Sequence, residues 1–229
     1  MGFHLPGRSF RTQSAADKRR QRYCYHNWVA DPANTAVPRA LRTVFLDRDG
    51  VLNQKLPEGR YVTTYSEFQP LPGIEQAIAR LNHAGLRVIV VSNQRGIGLG
   101  LYTAADVHQI HASFQAALQA SGAHVDAFYF CPHDKRECNC RKPLPGLFEQ
   151  ARSDFPDITG STSVIIGDSW SDIEFGRRLG MLTMFIDGDS ENRKPGFEAA
   201  RELANFCFPS LPEATDALLK RFALATQSV

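Results

Sequence analysis

Two aspartates, Asp47 and Asp49, stand one residue apart at the end of the apolar run 43–46. Carboxylates at positions i and i+2 of an extended chain face the same side, and Gly50 allows the chain to turn directly after them. One carboxylate of such a pair can act as a nucleophile or metal ligand while the other transfers a proton. The alternative is an acidic turn without catalytic chemistry, because Asp-Gly is common in turns.

Polar residues suited to phosphate follow later apolar runs. Ser92, Asn93 and Gln94 offer a hydroxyl and two amides that suit phosphate oxygens. Arg141 and Lys142 open a predicted helix, and Arg can bind a phosphoryl group bidentately while Lys neutralises its charge. Each pattern is weak alone, but together with the aspartates they indicate one site.

A further carboxylate, Asp168, follows the fourth apolar run in the sequence Gly-Asp-Ser-Trp-Ser-Asp. Together with Asp47 it can hold a hard cation such as Mg²⁺, which prefers oxygen ligands and keeps waters or a substrate phosphate. The alternative is a helix cap, a role that Ser171 or Asp172 can serve.

Three cysteines and a histidine form the spacing C-x-H-x4-C-x-C: Cys131, His133, Cys138 and Cys140. Three thiolates and an imidazole are a preferred tetrahedral set for Zn²⁺, and a full protein shell makes such a site structural. The alternative is a cysteine-rich loop with buried thiols. We predict a zinc-binding loop over 131–140, whose metal folds a polar segment and thereby positions the adjacent Lys142.

The elements that position these groups alternate between strand and helix. Continuous apolar runs, typical of strands buried on both faces, occur at 43–46, 86–91, 127–130, 163–166 and 182–186. Helical patterns occupy 73–84, 103–121, 145–154 and 171–180. This alternation predicts a doubly wound, parallel α/β sheet with the polar clusters at the carboxyl ends of its strands. We expect His108 and His111, both on the second helix, on or near its solvated side.

Residues 54–71, between the first motif and the next helix, are too few for a folded cap domain, so we predict a capless site. Loops, the zinc loop or the substrate itself must then close the pocket. Four apolar residues of this segment can form either a flap or a satellite hydrophobic cluster: Tyr61, Val62, Tyr65 and Phe68.

In this order the four clusters resemble the motifs of the haloacid dehalogenase (HAD) superfamily, over roughly residues 43–190: Asp47-x-Asp49-Gly50, Ser92, Lys142 and Gly167-Asp168-x-x-x-Asp172. The resemblance implies a Rossmann-like fold and an aspartyl-phosphate mechanism. By it, Asp47 is the nucleophile, Asp49 the general acid/base, and Ser92 and Lys142 hold the phosphoryl group. The implied magnesium ligands are Asp47, the Asp49 carbonyl and Asp168. Aspartate at position 49 is typical of the superfamily's phosphatases, whereas its ATPases have threonine there.

The zinc loop narrows the resemblance to subclass IIIA, the histidinol phosphatases and D-glycero-D-manno-heptose 1,7-bisphosphate 7-phosphatases, of which the heptose enzymes are more similar. Shared sequences are Asp-Arg-Asp-Gly-Val-Leu-Asn, Ser-Asn-Gln-x-Gly-Ile and Cys-Arg-Lys-Pro-x-Pro-Gly. The resemblance implies Mg²⁺-dependent removal of the 7-phosphate and a substrate pocket lined by Arg48, Asn53, Asn93 and Arg141. The chain departs from the subgroup at three positions: Arg95, Leu99 and Ser169 stand where Ser, Arg and a basic residue are usual.

The formal charge of +2 over 229 residues combines two unlike segments. Residues 1–42 carry eight basic and two acidic side chains, a sum of +6, and the remaining residues therefore sum to 18 − 22 = −4. We expect a flexible basic extension over 1–42 and one HAD-like domain over 43–229. A transit peptide or a shifted start codon is the alternative for the extension.

Membrane and secreted proteins are disfavoured. No apolar run approaches the roughly 18 residues of a membrane span, and the N-terminus lacks the apolar segment of a secretory signal. Five cysteines, three of them clustered, favour a metal site in a reducing compartment. We therefore expect a cytoplasmic monomer that acts on a small phosphorylated metabolite.

Other functions stay open at the level of sequence. Histidinol phosphate or another small sugar phosphate could be the substrate. A nucleic-acid 3′-phosphatase fits a capless site and the basic extension, but the catalytic domain is acidic and has no evident basic stripe. A zinc-stabilised binding module without catalysis is opposed by the intact Asp47, Asp49, Lys142 and Asp168.

Overall fold

The computed structural model describes residues 41–188 and 195–226. The strands in these ranges are β1 (Thr43–Leu46), β2 (Arg87–Asn93), β3 (Ala127–Cys131), β4 (Ser163–Gly167), β5 (Leu182–Ile186) and β6 (Phe206–Phe208). They form one parallel sheet in the order β3-β2-β1-β4-β5-β6. The direction of winding reverses between β1 and β4, and sheets of this kind bind ligands in the crevice outside the carboxyl ends at that point.

Helices pack on both faces of the sheet. They are α1 (Ile74–His83), α2 (Arg95–Gly98), α3 (Ala104–Ala120), α4 (Gly146–Asp154), α5 (Trp170–Arg178), α6 (Phe197–Leu203) and α7 (Leu211–Thr226), with 3₁₀ turns at Tyr65–Glu67 and Gly160–Thr162. Helix α3 begins with the expected capping box, because the Thr103 hydroxyl accepts from the amide of Asp106 and the Asp106 carboxylate accepts from the amide of Thr103.

The central strand β1 shows why its last three residues are all apolar. Successive side chains of a strand point to opposite faces. Val44 and Leu46 belong to the core on one face, with Ile78 of α1, whereas Phe45 belongs to the core on the other. The Phe45 ring lies 5.9 Å from the ring of Phe148 in α4. All three β1 side chains are fully buried, which fixes the strand that carries the two aspartates.

The five predicted strands and four predicted helices are confirmed, each within two residues of its expected bounds. The doubly wound α/β class is confirmed as well. The sequence patterns did not reveal β6, α2 or α6, because elements of three to seven residues are too short for a clear periodicity. Helix α7 lies beyond the region that the motifs cover.

The segment 54–71 contains no element longer than the 3₁₀ turn Tyr65–Glu67, so the site is capless as predicted. Val62 and Phe68 are each 2% exposed and belong to the core, and the ring of Tyr65 stacks on Phe68 at 5.9 Å. The structure therefore favours the satellite hydrophobic cluster over a mobile flap for these residues. Tyr61 lies apart from them, against the ring of Tyr102.

The prediction of a solvated His111 is wrong. The residue is 4% exposed, and its ring stacks on Phe128 with 4.5 Å between centroids. Burial lowers the pKa of His111 to about 3, so the imidazole is neutral. The hydrophobic face of α3 is wider than its apolar residues alone indicate, because a neutral imidazole can pack as an aromatic ring.

The predicted basic extension lies outside the described residues, apart from Leu41 and Arg42. Leu41 is 3% exposed and packs in the core, and the amide of Arg42 donates to the carbonyl of Thr162 at 2.8 Å. In the described part of the chain, none of the helices has the length and apolar content needed to cross a membrane.

Candidate active site

Asp47 directly follows β1, and its backbone amide still donates to the carbonyl of Ile166 in β4 at 3.0 Å. Its side chain is 9% exposed, and Oδ1 accepts a hydrogen bond from Nζ of Lys142 at 2.8 Å. The sheet thus holds the main chain of this residue, and a buried ammonium holds its carboxylate at the crevice.

Lys142 is buried between two carboxylates, with 1% of its side chain exposed. Its Nζ lies 2.8 Å from Oδ1 of Asp47, 2.6 Å from Oδ1 of Asp172 and 2.6 Å from the carbonyl oxygen of Val91. Burial alone would lower the pKa of Lys142, but the charges of Asp172 and Asp47 outweigh it and raise the pKa above its usual range. The lysine is therefore a permanent cation beside Asp47.

Asn93, the last residue of β2, holds the main chain of Lys142. Its Nδ2 donates to the Lys142 carbonyl at 3.1 Å, and its Oδ1 accepts from the Lys142 amide at 3.0 Å. This side chain therefore fixes the backbone from which the buried lysine projects. Arg141, the adjacent residue, is half-buried, and its Nη1 has no hydrogen-bond partner among the described residues.

Asp49 faces the crevice with 29% of its side chain exposed and receives hydrogen bonds from three side chains. Nη2 of Arg48 lies 2.9 Å from both carboxylate oxygens, Nδ2 of Asn53 lies 3.1 Å from Oδ1, and Nε2 of Gln94 lies 3.2 Å from Oδ2. Arg48 and Asn53, which the family resemblance assigns to the substrate pocket, are themselves only 2% and 0% exposed. In this structure both side chains donate to the Asp49 carboxylate and so position it, and their assignment to the substrate pocket stays a prediction.

Three carboxylates lie close enough to share one cation: Asp47, Asp168 and Asp172 each bring an oxygen within 4.8 Å of the others. Oxygen donors of this type are what Mg²⁺ prefers, so these residues fit the predicted metal. Gly50 has a φ of 96°, and a side chain at this position would overlap the Asp168 carboxylate. Only glycine accepts both the left-handed turn and this approach of the two loops.

Lys55, which the sequence analysis did not select, reaches the same group of carboxylates. Its Nζ lies 2.5 Å from Oδ2 of Asp168, and the two side chains are 9% and 8% exposed. A buried ion pair of this kind offsets part of the negative charge that the carboxylates bring together. No motif or spacing singles out this lysine, because it lies in an irregular loop after the first motif.

The segment after β4 serves both as a helix cap and as part of the carboxylate group, the two roles that its sequence allows. Ser169 is the N-cap of α5, and Asp172 accepts from the Ser169 hydroxyl at 2.5 Å and from its amide at 3.1 Å. The capping residue is therefore Ser169 and not Ser171. Asp172 also pairs with Lys142, so one carboxylate both stops the fraying of α5 and fixes the buried cation.

The cysteine cluster brings four ligand atoms together, from Cys131, His133, Cys138 and Cys140. Sγ of Cys138 lies 3.5 Å from Sγ of Cys131 and 3.3 Å from Sγ of Cys140, and Nδ1 of His133 lies 3.3 Å from the latter sulfur. Tetrahedral Zn²⁺ with bonds of about 2.3 Å spaces its sulfurs about 3.8 Å apart, so the cluster fits this ion. Burial raises the pKa of the Cys131 and Cys140 thiols, so a bound cation must displace their protons.

Hydrogen bonds connect the cysteine cluster to the aspartate site. Cys131 ends β3, and its carbonyl accepts from the amide of Gln94 at 2.8 Å. The guanidinium of Arg95 pairs with the carboxylate of Asp134, inside the loop. The loop ends two residues before Lys142. A change in the loop can therefore reach the site both through α2 and through the main chain at Lys142.

Two other residues, to neither of which the sequence assigned a specific role, lie within the site. Gln94 belongs to the predicted Ser-Asn-Gln cluster, and it contacts both Asp49 and Ser92. Tyr102 carries no motif, and its hydroxyl donates to the Gln94 side chain. The sequence indicates Gln94 only as a member of the Ser-Asn-Gln cluster. Tyr102 is identified only from the fold.

Comparisons with known proteins match this arrangement. The HAD-hydrolase-like family model matches residues 139–214. The D-glycero-alpha-D-manno-heptose-1,7-bisphosphate 7-phosphatase of Mycobacterium tuberculosis is 40% identical over 137 residues, 59% of this chain and 72% of that protein. The D-glycero-beta-D-manno-heptose-1,7-bisphosphate 7-phosphatase of Bordetella bronchiseptica is 39% identical over 148 residues, 64% of this chain and 80% of that protein.

A crystal structure shows the same architecture. It is the D,D-heptose 1,7-bisphosphate phosphatase from B. bronchiseptica complexed with magnesium and phosphate. The TM-score is 0.67 at 30% sequence identity, and the match covers 79% of this chain and 99% of that one.

Proposed function

Because the chain belongs to the HAD phosphatase family that contains the heptose-bisphosphate 7-phosphatases, we propose that it removes the 7-phosphate of D-glycero-D-manno-heptose 1,7-bisphosphate. The enzyme is a phosphoric monoester hydrolase. The observation that carries the proposal is the pair of aspartates at the carboxyl end of β1, one held by a buried lysine and the other by three hydrogen-bond donors.

The first step forms an aspartyl-phosphate. A carboxylate oxygen of Asp47 attacks phosphorus, the bond from phosphorus to the sugar oxygen breaks, and Asp49 donates its proton to that oxygen. Lys142 offsets negative charge that would otherwise repel an anionic phosphate, and the hydroxyl of Ser92 donates to a phosphoryl oxygen. Asp47 and Lys142 are already within hydrogen-bond distance, so the positive charge lies beside the proposed nucleophile before substrate binds.

The second step hydrolyses the intermediate. Asp49, now a carboxylate, removes a proton from water as the water oxygen attacks phosphorus, and the bond to Asp47 breaks. Inorganic phosphate leaves, Asp47 is a carboxylate again, and Asp49 carries the proton for the next cycle. Arg48, Asn53 and Gln94 keep the Asp49 carboxylate in one orientation during both steps.

We propose two metals. Asp47, the Asp49 carbonyl and Asp168 would hold Mg²⁺, which supplies positive charge to a transferring phosphoryl group. Cys131, His133, Cys138 and Cys140 would hold Zn²⁺, whose role is to fold the 131–140 loop. The carboxylate and thiol donor sets described above support this division, because Mg²⁺ prefers oxygen and Zn²⁺ accepts sulfur.

Asn93 and Arg141 would complete the substrate pocket. Nη1 of Arg141 has no hydrogen-bond partner among the residues that the structure describes, which suits a second phosphate or a sugar hydroxyl. The free thiols of the cysteine cluster fit a reducing compartment, so we propose a cytoplasmic enzyme. We also propose that residues 43–229 act as one catalytic domain, that the basic extension 1–42 is dispensable for turnover, and that the enzyme works as a monomer.

The test is a phosphate-release screen of the full chain. The substrates are the α and β anomers of heptose 1,7-bisphosphate, histidinol phosphate and a 3′-phosphorylated oligonucleotide, each with Mg²⁺ and with EDTA. We expect the fastest release from a heptose bisphosphate and none with EDTA. Faster release from histidinol phosphate or the oligonucleotide would contradict the proposal that heptose bisphosphate is the substrate. Release from no ester would favour the non-catalytic binding module.

A further inference from the structure

Gln94 connects two residues that the proposed mechanism uses. Its side chain is buried one position after β2, with the residue only 2% exposed. Its Nε2 lies 3.2 Å from Oδ2 of Asp49 and 3.2 Å from Oγ of Ser92. The amide nitrogen carries two hydrogens, so it can donate one to each acceptor.

Tyr102 determines which way the amide of Gln94 points. The Tyr102 hydroxyl donates to Oε1 of Gln94 at 2.8 Å, and burial raises the pKa of Tyr102 to about 12, so the hydroxyl keeps its proton. The ring itself is fixed, because it is 7% exposed and lies so close to Gly96 that any side chain at that glycine would overlap it. A rotated amide would lose this hydrogen bond.

The orientation has consequences for both acceptors. Because Ser92 Oγ accepts from Gln94, its own hydrogen is available for a phosphoryl oxygen. Because Nε2 faces Asp49, the carboxylate receives a donor on the side opposite to Asn53. A rotated amide would instead present Oε1 to the Asp49 carboxylate, and the two oxygens would repel each other.

We propose that Gln94 and Tyr102 are a positioning pair that aligns the proton-transfer residue Asp49 and the phosphate-binding hydroxyl of Ser92. The inference rests on the proposed function, since it takes the roles of those two residues from it. We expect Tyr102 to act through Gln94, because its hydroxyl donates to the amide oxygen and the residue is only 7% exposed.

The experiment is a double-mutant cycle on the substrate that the wild-type enzyme hydrolyses fastest. We expect Tyr102→Phe to lower kcat about tenfold and Gln94→Ala about a hundredfold, the scale of one and two lost hydrogen bonds, with KM changed less than about threefold. In the Gln94→Ala background, Tyr102→Phe should change kcat less than about twofold, because the hydrogen bond through which it orients the amide is already gone.

Gln94→Glu separates donation from packing. Glutamate keeps the shape of glutamine and can still accept from Tyr102, but it places a second carboxylate against Asp49. We expect a loss of kcat at least as large as that of Gln94→Ala. The matched control is Tyr129→Phe, which removes a hydroxyl bonded at 2.7 Å to Asp154, away from the site, and should leave kcat unchanged.

Multiplicative losses in the cycle, wild-type turnover by Gln94→Glu, or a raised KM with unchanged kcat would each overturn the positioning pair. Thermal unfolding of each variant checks that the fold survives. If the wild-type enzyme releases phosphate from no ester, the proposed function fails. A failure of the positioning-pair proposal is distinguishable from this outcome, because it is seen only when the wild-type enzyme is active and its variants are compared.

Discussion

The carboxylate cluster and the cysteine cluster of this molecule are built in opposite ways. Asp47 and Asp168 directly follow fully buried strands, and Asp172 lies in the first turn of α5. Two lysines of the chain, Lys142 and Lys55, are paired with these carboxylates. The cysteine cluster lies mainly in an irregular loop, and its buried thiols have raised pKa values, so they carry little charge before a cation binds.

This contrast indicates which of the two regions needs its metal in order to fold. The chain's own ammonium groups already neutralise much of the carboxylate charge, so the fold around Asp47 does not require Mg²⁺. The loop 131–140 has few buried side chains of its own, and bonds from four ligands would replace the missing core. We therefore expect Mg²⁺ to be needed for chemistry and Zn²⁺ for folding.

The largest expected effect is a loss of catalysis at the carboxylate cluster while the protein stays folded. Asp47→Asn should lower phosphate release by at least about a thousandfold, because an amide is a poor nucleophile, while the unfolding temperature stays within a few degrees of wild type. Steady-state assays and thermal unfolding measure both. Asp157→Asn, at an exposed surface ion pair, is the control and should keep full activity. An equally active Asp47→Asn enzyme would contradict the covalent mechanism.

Zinc removal should unfold the loop that carries the cysteine cluster. A zinc-selective chelator, with Mg²⁺ kept in the buffer, should make the 131–140 loop a site of proteolytic cleavage and lower kcat about ten- to a hundredfold through Lys142. Magnesium removal should abolish turnover without new cleavage. Full turnover by the zinc-free enzyme would show that the loop does not position the lysine.

A smaller effect tests the internal cation. Lys55→Met should tighten Mg²⁺ binding several-fold, because it removes a competing positive charge 2.5 Å from Asp168, and it should lower the unfolding temperature in EDTA by a few degrees. Calorimetric titration with Mg²⁺ and thermal unfolding measure these changes. Weaker Mg²⁺ binding by the variant would mean that Lys55 supports the site instead of competing with the metal.

The smallest expected effect comes from a variant outside both clusters, which shows how far a loss of stability alone changes activity. Thr103→Ala removes the cap of α3 and should cost about 1 kcal/mol of the free energy of unfolding, with kcat and both metal affinities unchanged. Chemical denaturation and the same assays check this. If kcat fell with stability, the losses predicted above could no longer be assigned to the clusters.

The sequence predicted those parts of the site that depend on strand ends. Asp47, Ser92 and Asp168 lie at the ends of apolar runs, and parallel pairing brings such positions to one edge of the sheet. Lys142 reaches the same edge from the end of the loop that follows β3. The structure brings Lys142 to Asp47 across 95 residues of sequence separation, and this juxtaposition follows from the alternation of strands and helices.

Side-chain partners were beyond the reach of sequence. Arg48 is predicted to line the substrate pocket, and the sequence did not show that it is buried and binds the side chain of Asp49. Lys55 and Tyr102 come from loops whose paths no periodicity specifies. His111 reads as a polar residue, although desolvation leaves it a neutral ring in the core. In each case the environment assigns the role, and residue type alone does not.

The central position of β1 makes the backbone amide of Asp47 a probe of stability. The strand is hydrogen-bonded to β2 on one side and β4 on the other, and the Asp47 amide itself is bonded to Ile166. Amide hydrogens in the centre of a sheet exchange with solvent only when the whole domain opens. Deuterium uptake at the Asp47 amide should thus report the global free energy of unfolding at the residue proposed to attack phosphorus.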